Sequence, residues 1–160
     1  MKHFKIEEKE TFRLAGFKTK LEGSEKIHSE LFSNQKTEFF KSIIQSGRIS
    51  LLKPISECSY GYGAVTTDGS STFYYAGVKT TQPVIHGTEE VLFPEGTYLV
   101  LAYKGGPSRL AFDKLENQAF KEILTEEYDY GYNGNPIAEI LLNGNPADSE
   151  VEVWIPVNPK

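Results

Sequence analysis

Apolar residues along this chain come in short runs whose spacing switches between two and three-to-four, the mark of strands alternating with one-sided helices. Residues 11–21 (TFRLAGFKTKL) set Phe12 and Leu14 two apart, with Phe17 and Leu21 out of phase, which predicts a strand bent at Ala15-Gly16. From Ser24 to Ser46 the spacing turns helical, through Ile27, Leu31 and Phe32 and then Phe39, Phe40, Ile43 and Ile44, and Gly47 stands where a C-cap belongs. The polar stretch Ser33 to Glu38 predicts a break between two helical pieces. Residues 59–66 and 72–80 are β-rich and flank Thr67-Asp68-Gly69-Ser70-Ser71, a hairpin loop.

The same order then recurs. TYLVLAYKG at 97–105 reads as a buried strand introduced by the turn Pro94-Glu95-Gly96. Pro107 and Ser108 open a helix whose apolar face runs Phe112, Leu115, Ala119 and Ile123, widened by Phe120 and Leu124. Residues 137–142 and 150–157 flank Asn143-Gly144-Asn145-Pro146 as a final strand, turn, strand unit. The Gly-rich stretches at 60–63 and 131–134 lack the context of a phosphate loop and read as turns. The expected architecture is therefore an α+β domain over residues 1–160, built as β-α-β-β twice, with halves at about 1–81 and 92–158. One-sided helices put both on one face of an antiparallel sheet and leave the other face as a groove along the pseudo-twofold seam.

Charge narrows the partners. Acidic residues number 22 against 17 basic, a formal net charge of −5, with Lys and Arg scattered, so direct binding to nucleic acid is not expected. No run approaches the roughly 18 apolar residues that span a bilayer, so no membrane partner is expected either. A single cysteine, Cys58, and an N-terminus without an apolar signal core point to the cytoplasm. The aromatic content stands out: 9 Tyr and 10 Phe, with tyrosines clustered at 60 and 62, 74 and 75, and 128, 130 and 132. Tyrosine has an apolar body and a polar tip, which suits a wet pocket wall as well as a half-buried strand.

The terminal strand, EVEVWIPV after NGNPADS, resembles the end of the GyrI-like small-molecule-binding family, the bacterial transcription-activator effector-binding domains. LVLAYKGGPSRLAFDKL, AEILLNGNP, FRLAGFKTKL and FYYAGVKT agree with other segments of that family, so the resemblance covers nearly the whole chain. It implies a tandem β-α-β-β fold and a groove for hydrophobic, often cationic compounds, as in multidrug binding. Many family members carry a helix-turn-helix segment, for which there is no room before residue 11, so the resemblance is to a stand-alone member. The remaining family roles are sequestration, modulation of a protein partner such as DNA gyrase, and, in some members, hydrolysis of a bound small molecule.

Alternation in the last strand sets Val151, Val153 and Ile155 on one face and Glu152 and Trp154 on the other. With the apolar triplet toward the helices, Glu152 faces the groove beside an indole, and its place before Ile155-Pro156 matches the family carboxylate. The alternative for Glu152 is a solvated strand position. Glu139 lies on the partner strand, where the resemblance also implies an acidic residue, and its face depends on hairpin register. Tyr75 matches a family aromatic and Tyr74 points the opposite way, so one of the two lines the groove. Tyr60, Tyr62, Phe12 and Tyr103 are weaker candidates, each fitting a core better than a ligand contact. No metal or cofactor motif is present: Cys58 has no adjacent base and His3, His28 and His86 are dispersed. The one catalytic scheme is Glu152 paired with a tyrosine or Glu139 as general acid and base.

Overall fold

The β-branched and aromatic run starting at Gly96 forms the strand β6 (Gly96–Lys104), paired along both edges and buried on both faces from Tyr98 to Leu101, which is why that stretch is apolar. Its neighbours are β1 (Phe4–Lys9) and β9 (Glu150–Pro159). The computed structural model of the protein describes residues 4–23, 27 and 29–160. In chain order the other elements are β2 (Phe12–Leu21), α1 (Ser33–Gln45), β3 (Gly61–Thr67), β4 (Thr72–Lys79), β5 (Glu89–Phe93), α2 (Ser108–Gln118), β7 (Tyr130–Tyr132) and β8 (Ile137–Leu141). Short 3₁₀ segments at Glu30–Phe32 and Arg48–Ile55 flank α1, and a π-helical turn at Ala119–Ile123 ends α2. Among the described residues no helix is long and apolar enough to cross a membrane.

All strands join one antiparallel sheet in the order β1-β6-β9-β8-β3-β4-β2-β5, with β7 paired to the far end of β9. The expected α+β class and the strand, helix, hairpin sequence of each half are what the structure shows. The halves meet where β3 lies against β8, with Gly63 opposite Glu139 and Ala64 opposite Ala138. The outer strands cross over: β1 pairs with β6 of the second half, and β5, from the linker, pairs with β2 of the first.

Local corrections have local causes. α1 is a single helix that begins at Ser33, so the polar stretch is its first turns and not a break, with Lys36 turned inward and Asn34 and Glu38 exposed. The expected helical start at Ser24 falls partly outside the described residues. Gly47 does close α1, with φ of 74°. β2 runs unbroken, and Gly16 serves close approach, since it faces Gly77 of β4, where an added Cβ would lie 2.6 Å from the Gly16 Cα. Gly61 and Gly63 belong to β3 and Gly131 to β7, so these glycines are strand residues and not turns.

Both faces of the sheet are buried. On the helix side Val151, Val153 and Ile155 pack with Leu99, Leu101 and the α2 residues Phe112 and Leu115, while Ile43 of α1 packs with Phe17 and Ala76. On the far side Phe12, Phe93, Tyr98 and Trp154 form an aromatic cluster, with Phe12 stacked on Phe93 at 4.5 Å and edge-on to Trp154 at 5.5 Å. Phe12 and Trp154 sit on strands separated by β8, β3 and β4, so the sheet curls until these rings meet. The far face is therefore filled by the chain's own aromatics, where an open groove was expected.

Candidate ligand-binding site

The open space lies on the helix side. α1 and α2 meet through Ser33 and Asp113, and between them, over the seam of β3 and β8, lies a cavity of about 400 Å³. Its floor runs along β3 and β4, where Gly61 and Gly63 present no side chain toward the helices; the position over Gly61 is open and Tyr74 occupies that over Gly63. Apolar walls come from Phe40, Ile44 and Ile49 on one side and Phe112 and Pro107 on the other. The lining residues come from both halves of the fold.

Polar groups converge at the base. Glu139, pointing inward from β8, is 1% exposed. Its Oε1 accepts from Tyr74 Oη at 3.1 Å and Arg109 Nη1 at 3.0 Å. Its Oε2 accepts from Arg109 Nη2 at 2.7 Å and Lys36 Nζ at 3.4 Å. Arg109, in the first turn of α2, is oriented by Asp113 one turn on, whose Oδ1 accepts from Nε at 3.0 Å. Gly63 makes the Tyr74 contact possible, since a Cβ there would fall 2.5 Å from the tyrosine oxygen. Lys36, 2% exposed, also lies 3.9 Å from Glu116, whose Oε1 has no hydrogen-bond partner among the described residues.

The electrostatics divide the two carboxyls. Burial opposes the charge of Glu139, but Arg109 and Lys36 outweigh it and hold the carboxyl well below the usual range. Burial, and then the charge of Glu139, push Glu116 well above that range, which favours its protonated form. Burial likewise drives the Tyr74 hydroxyl up, reinforced by Glu139, so Tyr74 serves as a donor.

Of the residues singled out from the sequence, Glu139 and Tyr74 line this cavity with their side chains, whereas Tyr62 borders it only along the β3 backbone, its ring lying in the far-side cluster 6.2 Å from Trp154. Glu152 and Trp154 share a face as alternation required, yet it is the far face, where Trp154 Nε1 donates to Glu152 Oε1 at 2.8 Å. The indole face there is already covered by the chain's own cation, Lys9, at 3.9 Å. Phe12 and Tyr75 are buried in the same far-side cluster. Tyr60 is exposed, and Tyr103 packs at the surface against Lys114, 4.6 Å from its ring. Lys36 and Arg109 escaped notice. A signal for Arg109 existed: Arg109, Asp113 and Glu116 follow a helical i, i+4, i+7 spacing beside the apolar stripe of Phe112 and Leu115, so charge is carried into a buried face.

A curled antiparallel sheet of nine strands, two helices on one side and a cavity at the seam of the repeat define an effector-binding fold of the GyrI-like class. The sequence matches Cass2, the integron-associated effector binding proteins, over residues 5–157, and the chain belongs to that family. No match was found among curated proteins. Among solved structures, the fold is shared with SAV2435 bound to tetraphenylphosphonium, at TM-score 0.73, 15% identity, and coverage of 98% of this chain and 94% of that one. It is shared too with a protein from Staphylococcus aureus MU50 described as a bacterial transcription regulation protein, at TM-score 0.73, 13% identity and 99% of each chain. The integron cassette protein Cass2 of Vibrio cholerae aligns at TM-score 0.63 and 15% identity, over 98% of this chain and 96% of that one.

Proposed function

We propose that the protein is a receptor for an apolar, aromatic small molecule, held in the cavity between α1 and α2 with the Glu139 cluster at its base. The carrying observation is the combination of a roughly 400 Å³ apolar space with a buried polar group at one end, the build of a small-molecule site. Family membership supports the effector-binding role, and the tetraphenylphosphonium bound to SAV2435, a protein of the same fold, supports an aromatic ligand here. The anchor in this reading is Glu139 with its cations, in place of Glu152.

The binding reading is favoured over the acid–base scheme by the engagement of its carboxylates. A general base must offer its oxygen to the reacting proton, whereas both oxygens of Glu139 are taken by Tyr74, Arg109 and Lys36. Glu152 faces the far side and accepts from Trp154.

Gly61 tests the reading. A Cβ at Gly61 meets only Leu141 Cβ at 3.9 Å, so a side chain fits there and points into the cavity. Gly61→Phe is expected to fold, to keep the thermal stability of the parent, and to lose the binding of uncharged aromatic probes measured by fluorescence titration. Unchanged binding by that variant would place the ligand elsewhere.

A further inference from the structure

We propose that Glu116 and Lys36 make the ligand site a cation-for-proton exchanger: Glu116 holds a proton while the cavity is empty and releases it to solvent when a lipophilic cation binds beside Glu139. This rests on reading the cavity as the ligand site. The first support is the charge count at the base of the cavity. Glu139, Glu116 and Asp113 set three carboxyls against two cations, Lys36 and Arg109, and none of these side chains is more than 15% exposed. Five ionised groups would leave one negative charge over, and a buried charge in excess is either neutralised by a proton or met by a counter-ion. The empty cavity takes the first course and the liganded cavity the second.

Geometry singles out which carboxyl holds the proton. Asp113 accepts from Arg109 Nε at 3.0 Å and from Ser33 Oγ. Both oxygens of Glu139 accept, from Tyr74, Arg109 and Lys36. Glu116 is the least engaged of the three: its Oε2 has one long contact, 3.5 Å from Arg109 Nη2, and its buried Oε1 accepts no hydrogen bond among the described residues. The described titratable groups around it are Arg109 and Asp113 from α2, Lys36 from α1, Glu139 from β8 and Tyr74 from β4. Burial and the charge of Glu139 raise its carboxyl above the ordinary range, in agreement with that geometry.

Lys36 supplies the coupling. Its ammonium stands between the two glutamates, 3.4 Å from Glu139 Oε2 and 3.9 Å from Glu116 Oε1, whereas charge-assisted N–H···O bonds close at about 2.7–2.9 Å. It is tight on neither, and a shift of about 1 Å on its flexible stem brings it onto Glu116. Once Glu116 has lost its proton, that shift pairs two full charges and frees a lone-pair site on Glu139, which lines the cavity as Lys36 does. The step balances: the O–H bond of Glu116 breaks, its electron pair stays on the carboxylate, the proton passes to the buffer, and the charge of the ligand replaces that of the proton. Binding that releases one proton tightens as pH rises, by up to about tenfold per pH unit, until the empty protein itself loses that proton.

Tetraphenylphosphonium and the uncharged N-phenylnaphthylamine are each titrated into the full chain by calorimetry, in phosphate and in Tris, two buffers of unlike ionisation heat, at about pH 6, 7 and 8. Loss of naphthylamine binding in Gly61→Phe confirms that this probe occupies the cavity. The phosphonium is expected to release up to about one proton per molecule bound and to bind severalfold more tightly with each pH unit, while the neutral probe shows neither effect. In Glu116→Gln proton release is expected to vanish and the phosphonium profile to flatten, with naphthylamine affinity held. Phosphonium binding to the parent protein without proton release overturns the exchange and leaves the cavity reading standing. So does a cavity that takes the neutral probe and refuses the phosphonium, or release that persists in folded Glu116→Gln. Naphthylamine binding that persists in Gly61→Phe, or no binding of either probe, removes the cavity reading and the exchange with it.

Discussion

Arg109 touches Glu139 twice, Asp113 once and Glu116 once, so its removal strands a buried carboxylate with Lys36 and Tyr74 as its remaining donors. Arg109→Met is expected to lower unfolding free energy in urea by about 3–5 kcal/mol, the range for breaking one side of a buried pair. Adding Glu139→Gln should recover much of that loss, because the stranded charge is then gone. The pH dependence of stability splits between the two carboxyls. Glu139 is depressed in the folded state, so its contribution is present above the ordinary carboxylate range and is lost as pH falls through the lowered value. Glu116 is raised, so the folded protein binds the extra proton; its contribution is full below about 4.5 and is lost as pH rises toward the elevated value. Glu116→Gln, neutral at every pH, is expected to flatten the decline in melting temperature between mildly acidic and alkaline buffers. An unchanged slope in that variant would assign the decline to other groups.

At the scale of elements, the cavity depends on which strand positions lack a side chain. Gly63 faces Glu139 across β3 and β8 and admits the Tyr74 hydroxyl. Gly63→Ala should push that hydroxyl off Glu139 and cost about 1–3 kcal/mol, the scale of a lost buried hydrogen bond. In a Tyr74→Phe background the same change should cost measurably less, as a double-mutant cycle in denaturant would show. This arrangement also marks the limit of what the sequence made legible. Strand and helix order could be read because periodicity is local: TYLVLAYKG and the Phe112, Leu115, Ala119 stripe each declare their element without reference to the rest. Pairing between distant segments is not local, so β1 on β6 and β5 on β2 were invisible, and with them the curl that brings Phe12 to Trp154. Alternation correctly joined Glu152 to Trp154 on one face and put the apolar triplet toward the helices. The side that stays open was decided by how α1 and α2 seat over the sheet, which no strand pattern encodes. Glu139 was reachable as a candidate, whereas its partners Lys36 and Arg109 come from two helices 73 positions apart in the sequence.

For the whole molecule, the crossing of the outer strands means that neither half carries its own complete sheet. A cut in the exposed linker between β4 and β5, after Val84, yields pieces of residues 1–84 and 85–160. The first keeps β1 but not its partner β6, and the second keeps β5 but not its partner β2, while the β3 to β8 seam is severed as well. Each piece alone is expected to show weak, non-cooperative unfolding by circular dichroism, and an equimolar mixture should regain a single cooperative transition. Independent cooperative folding of either piece would mean that the laced edges contribute little. The repeat thus behaves as a clasp and not as beads on a string: two gene fragments carrying these pieces would act as an obligate pair, each useless until the other is made.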